Sequence, residues 1–139
     1  MNTRVCCVFV GMAILILGNF SFPGAIQQSL DYGKILGVWK IEVNADGEYY
    51  YVTLNLKSAD GILEGTVSES MGTFTDVPVS EIAYDGENLS FEFNSATPPD
   101  GVERLVSFEF RIGEDTMDGV VIIPELGVSA TATATREKD

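Results

Sequence analysis

From Gly37 onward, apolar and polar residues alternate in short runs broken by turn dipeptides, and no stripe of helical period appears. Alternation sends successive side chains to opposite faces of a strand, so the pattern predicts an all-β chain. Val38 to Asn44 sets Trp39, Ile41 and Val43 against Lys40 and Glu42, and Asp46-Gly47 follows as a hairpin turn in which Gly accepts φ > 0. Glu48 to Lys57 sets Tyr50, Val52, Leu54 and Leu56 against Tyr49, Tyr51, Thr53 and Asn55, and Asp60-Gly61 turns the chain back. A third strand is predicted over about Ile62 to Glu69 and a fourth over about Phe74 to Tyr84. Pro78 lacks a donor within that fourth run, which must start late or carry a bulge. Leu89, Phe91 and Phe93 share a face of a fifth strand, about Asn88 to Asn94. Ser95 to Gly101, with Pro98-Pro99, is expected to be a loop without regular pairing. The sixth strand, about Glu103 to Ile112, directs Val106, Phe108, Phe110 and Ile112 inward. The seventh carries Met117, Gly119, Val121 and Ile123, and the eighth runs to Arg136.

Short connections make sequential strands antiparallel neighbours. Eight such strands close into an up-and-down barrel, which removes two exposed edges; a β-sandwich is the alternative. Ile26 to Leu36 precedes the first strand and is expected to contribute a turn of helix plugging one end. In a closed antiparallel barrel of even strand number, the start of the first strand lies beside the end of the last. That brings Trp39 to Arg136. Val128, Ala130, Ala132, Ala134 and Arg136 share one parity of the last strand, so the guanidinium is expected to cover the indole, an interaction of roughly 0.5–2 kcal/mol.

The run Gly37-Val38-Trp39 with a terminal Arg136 resembles the signature of the calycins, lipocalin-like barrels in which a Gly-x-Trp on the first strand packs against an Arg from the last. Leu63-Glu64-Gly65-Thr66-Val67, Met71-Gly72, Gly113 to Gly119 and Thr133-Ala134-Thr135-Arg136 are similar to the recurring pieces of small secreted bacterial lipocalin-like modules. The resemblance implies a calycin-type barrel, with Gly37, Trp39 and Arg136 as its closure, and export; it implies no particular reaction or ligand. Ala59 to Ser70 also resembles the hairpin of avidin-type biotin binders, but those wall their ligand with several tryptophans and this chain has one. The Arg-x-Tyr carboxylate anchor of fatty-acid-binding barrels is absent, because Glu137 and Lys138 follow Arg136.

The 139 residues divide into an N-terminal segment and one domain. Arg4, the apolar run Val5 to Gly18 and the small residues of Ser21 to Ala25 form the pattern of a secretory signal peptide over residues 1-25, with cuts after Ser21, Gly24 or Ala25 open. Residues 26-139 then form a single barrel domain, secreted or periplasmic. The apolar run is shorter than the roughly 20 residues of a membrane span, so no stable span is expected after cleavage. Cys6 and Cys7 both lie in the signal, which leaves the domain without a disulfide.

Eight Lys and Arg stand against 21 Asp and Glu, a net charge of −13. Nucleic acid is excluded as a partner on that ground, since phosphate binding needs a basic surface. The chain has no histidine and no cysteine beyond the signal, so Cys or Ser catalysis with a histidine base has no residues to use, and zinc loses its usual ligands. Asp100 with Glu103, and Glu114 with Asp115 and Asp118, lack the ligand spacing of a calcium loop. No cofactor, metal or catalytic group is expected. Asn88-Leu89-Ser90 is a glycosylation sequon, meaningful only in a eukaryotic host.

Two functions remain. The first is a non-enzymatic structural or protein-interaction module, for which the outward Tyr49 and Tyr51 offer an aromatic patch. The second is a carrier of a small uncharged hydrophobic ligand in the barrel interior. There the small Ala130, Ala132 and Ala134 leave space beside Phe91, Phe93, Phe108 and Phe110, or those rings fill it. Arg136 is expected to be the only inward cation, so an acidic ligand has no anchor.

Overall fold

The computed structural model describes residues 31–138; the segment 1-25, expected from sequence to be a signal peptide, lies outside the described residues. One antiparallel sheet of nine strands curls into a nearly closed barrel. The strands are β1 (Gly37–Ala45), β2 (Glu48–Ala59), β3 (Ile62–Glu69), β4 (Val77–Pro78), β5 (Ser80–Tyr84), β6 (Asn88–Thr97), β7 (Val102–Ile112), β8 (Thr116–Ile123) and β9 (Val128–Arg136). Their order is β4-β3-β2-β1-β9-β8-β7-β6-β5, which is a meander wrapped so that β1 and β9 meet; the sandwich alternative is set aside.

The strand number corrects the eight expected from sequence. The fourth run does not stay with one neighbour: Val77 and Pro78 pair with Val67 and Thr66 of β3, and the Val79 N–H still donates to Gly65 O at 3.0 Å. Ser80 then pairs with Glu92 of β6, and the register shifts before Ala83 meets Ser90. Pro78 supplies no ladder donor and Glu81 sits at φ 50, an uncommon conformation outside glycine, so the run bends and transfers its pairing from β3 to β6. That transfer brings the two ends of the sheet together.

The hairpins behave as their sequences require. Asp46-Gly47 and Asp60-Gly61 join two-residue turns with positive φ at both positions, the type I′ geometry whose twist matches the flanking strands. The predicted loop after β5's partner differs from expectation. β6 continues through Ser95, Ala96 and Thr97, which pair with Arg104, Glu103 and Val102, so only Pro98 to Gly101 is irregular.

The closed end is solid. A 3-10 turn at Tyr32–Lys34 crosses it and inserts the fully buried Ile35 beside Trp39. Leu54, Leu56, Val67, Leu89, Phe91, Met117 and Ala134 complete the packing there, all at most 1 % exposed. The Trp39 Nε1–H donates to Ile35 O at 2.9 Å, which satisfies the one polar atom of the buried ring.

Candidate functional site

Trp39 and Arg136 are register partners across β1 and β9, and the Arg136 guanidinium carbon stands 4.4 Å from the indole centroid. The same guanidinium donates to the carbonyls of Leu36 and Lys34, while Nε lies 3.8 Å from Asp115. Gly37 makes room for it. A Cβ there would lie 3.3 Å from Nη1, and the residue sits at φ 117, which an L side chain disfavours. Arg136 thus ties the segment before β1 to the end of β9 over the indole and seals that mouth of the barrel.

The opposite half is hollow. A cavity of about 500 Å³ opens at the end that carries the β1–β2 hairpin, the Pro98-Pro99 turn and a second 3-10 turn at Pro124–Leu126. Val43, Val52, Phe74, Phe93, Val106, Phe108, Val121, Ile123 and Ala130 give it apolar walls. The floor is aromatic. Phe93 and Phe108 stack with centroids 5.9 Å apart, Phe74 closes on Phe93 at 5.4 Å, and Phe91 and Phe110 continue the stack beneath at 5.3 and 5.5 Å from Phe108.

The seven interior residues singled out from sequence therefore divide. Phe93, Phe108 and Ala130 line the cavity, whereas Phe91, Phe110, Ala132 and Ala134 are buried in the packed half. In one cross-strand row of the packed half, Phe110, Gly119 and Ala132, a large ring stands beside two of the smallest residues. Gly119 is indispensable to that row: an added Cβ would overlap the Glu109 carbonyl and stand 2.9 Å from the Phe110 Cα. Its bareness lets β7 and β8 approach each other there.

The mouth is acidic. Among the described residues, Asp46, Glu48 and Glu69 are the charged ones of the cavity lining, and no lysine or arginine joins them. The Tyr50 hydroxyl donates to Glu48 Oε2 at 2.9 Å, and Glu69 Oε2 accepts the N–H groups of Met71 and Thr73 at 2.8 and 3.2 Å. That hydrogen bond to Glu48 foremost, then partial burial and the charges of Glu48 and Glu69, raises the Tyr50 pKa and keeps the phenol protonated.

Arg104 is the residue that sequence reasoning missed, and Arg136 is not the only inward cation. Arg104 shares the inward parity of Val106, Phe108 and Phe110 and is 9 % exposed. Extending that alternation by one step toward the strand's start would have found it. It forks onto Asp100 at 2.7 and 2.8 Å, donates to Thr97 Oγ1 at 2.9 Å, and brings Nε to 3.8 Å from Glu125. Its hydrogen bond, aided by the Val102 N–H, holds the Asp100 carboxyl well below the usual range. The bonds of Arg104 to Asp100 and Thr97 pin the turn that carries the cavity-lining Pro98 and Pro99, and its ion pair with Glu125 faces the turn that carries Leu126. Among the described residues, the buried Nε of Arg104 has no hydrogen-bond partner.

Among the described residues, no group of three carboxylates, histidines or cysteines is placed to hold a metal ion, and no helix is long and apolar enough to cross a membrane. Asp100 and Asp115, from the two acidic clusters of the sequence, are spent on Arg104 and on Arg136 with Lys138. Tyr49 and Tyr51 project outward from β2, half exposed. No protein-family model, no curated protein and no solved structure matches this chain.

Proposed function

We propose that this chain is an exported, non-enzymatic, lipocalin-like barrel that carries a small hydrophobic molecule in the open half of its interior. The observation that carries the reading is the cavity itself: about 500 Å³, apolar-walled, floored by phenylalanine and open at one mouth. Ligand pockets typically occupy ~300–1,000 Å³ and are lined mainly by apolar and aromatic groups with a few polar ones at fixed positions. Water in this apolar space would be displaced favourably by an apolar ligand. Export is supported by the N-terminal pattern of Arg4, the apolar Val5 to Gly18 run and the small residues that follow.

Nile red, an uncharged apolar dye, tests the carrier reading. Its fluorescence is expected to rise and saturate on titration with the protein, and Ala130→Phe, which fills the cavity from its wall, should abolish the rise without loss of the folded barrel by circular dichroism. Unchanged dye binding in a folded Ala130→Phe variant, or no binding by the native chain, would overturn the proposal. The exposed Tyr49 and Tyr51 favour a second reading, a protein-interaction face on β2. It would be supported if Tyr49→Ser/Tyr51→Ser removed a partner's binding while Nile red binding was absent throughout.

A further inference from the structure

We infer that the ligand is an amphiphilic cation whose apolar body fills the cavity and whose protonated amine sits at the mouth among Asp46, Glu48 and Glu69. The inference rests on the carrier reading and adds the chemical class of the ligand, which the apolar walls alone leave open.

The cavity combines an apolar interior with a lining whose charged groups, among the described residues, are all carboxylates. Asp46 lies in the β1–β2 turn, Glu48 begins β2 and Glu69 ends β3, the neighbour of β2, so the three stand on one arc of the mouth. Glu48 and Glu69 are held in place. Each uses Oε2 internally, Glu48 toward the Tyr50 hydroxyl and Glu69 toward the Met71 and Thr73 N–H groups, and keeps Oε1 for a ligand donor. Fixed acceptors of this kind need little reorganisation when a cation arrives, and a cation at the mouth stays partly hydrated while its tail is buried.

An anionic head group meets the reverse situation. Arg136 lies at the sealed end, bonded to Leu36 and Lys34. Arg104, the other inward cation, is already forked onto Asp100 with Glu125 beside it. A fatty acid carboxylate would therefore face three like charges and no free partner in the lining. A neutral hydrophobe would enter without that penalty but also without the gain.

Isothermal titration of the native chain with octylamine, octanol and octanoate at pH 7 separates these cases, because the three share one tail and differ in head-group charge. Octylamine should bind about tenfold more tightly than octanol, and octanoate about tenfold more weakly. The amine preference should collapse at about 1 M salt, where the Debye length is ~3 Å. It should also collapse in Glu48→Gln/Glu69→Gln, in which each Gln retains an oxygen to accept the existing bonds and which is first checked for folding by circular dichroism. Glu64→Gln/Glu109→Gln makes the same change in net charge on exposed positions outside the cavity lining and should keep the preference. Equal binding of amine and alcohol, a preference that survives salt or the mouth substitutions, or one lost equally in the control pair would overturn the cation assignment while leaving the carrier reading intact. If none of the three compounds binds, the carrier reading itself fails.

Discussion

Removing Arg136 tests barrel closure most directly, because its guanidinium joins the last strand to the first strand and to the 3-10 turn. Arg136→Ala deletes a cation–π contact at 4.4 Å, worth about 0.5–2 kcal/mol. It also deletes two charge-assisted bonds to the carbonyls of Leu36 and Lys34, each worth about 1.5–3 kcal/mol when fully desolvated. The Arg136 side chain is 22 % exposed, and water can reach the freed carbonyls, so those bonds count at a fraction of that figure. A loss of about 2–4 kcal/mol is expected for Arg136→Ala, and about 3–5 kcal/mol for Trp39→Ala, a fully buried aromatic truncation. In the double variant the two losses should fall short of additivity by more than about 0.5 kcal/mol, since each residue removes the other's partner. Arg136→Lys should lie between, because an ammonium keeps the charge but cannot fork onto two carbonyls. Urea unfolding followed by far-UV circular dichroism is the suitable assay; Trp39 is the only tryptophan, so its fluorescence disappears with the substitution under test. Additivity within about 0.3 kcal/mol, together with a negligible effect of Arg136→Ala, would refute the view that this pair holds the barrel shut.

Gly119→Ala should destabilise by about 2–3 kcal/mol, because the new methyl meets the Glu109 and Phe110 backbone, which cannot rotate away as a side chain could; a urea midpoint within error of the native chain would contradict this. Asp100→Asn should lower the thermal midpoint at pH 7, and the gap from the native chain should narrow as pH falls below about 4. The sign follows from the depressed folded-state pKa of Asp100: the unfolded chain takes up the proton first, so the stability given by the Arg104 pair is present above the unfolded value and is lost on acidification. Thermal melts from pH 7 down to pH 2 check it, and a gap independent of pH would count against the pair.

Alternation along the chain determined by itself which residues of β1 and β2 face inward and where the tight hairpin turns fall, since both depend on near neighbours. Trp39, Ile41 and Val43 against Lys40 and Glu42, and the Asp46-Gly47 and Asp60-Gly61 turns, are of this kind. The meeting of Trp39 with Arg136 was expected from the same alternation and from the closure of an even antiparallel barrel; it holds with nine strands because β4 and β5 follow one another in the same direction and add no reversal of the chain. The ninth strand did not follow: Pro78 marks a break locally, but the transfer of pairing from β3 to β6 depends on where those two strands stand in space. Nor did the Arg104 cluster, which gathers Asp100 from the preceding turn and Glu125 from a 3-10 turn beyond the next strand. The candidate site shows the limit most clearly. Phe91 and Phe93, or Ala130 and Ala132, have the same parity and nearly the same neighbours in sequence, yet Phe93 and Ala130 line the cavity while Phe91 and Ala132 lie in the packed core. Parity decides inside from outside; height along the barrel axis is set by the tilt and stagger of all the strands together, and only the closed sheet decides that.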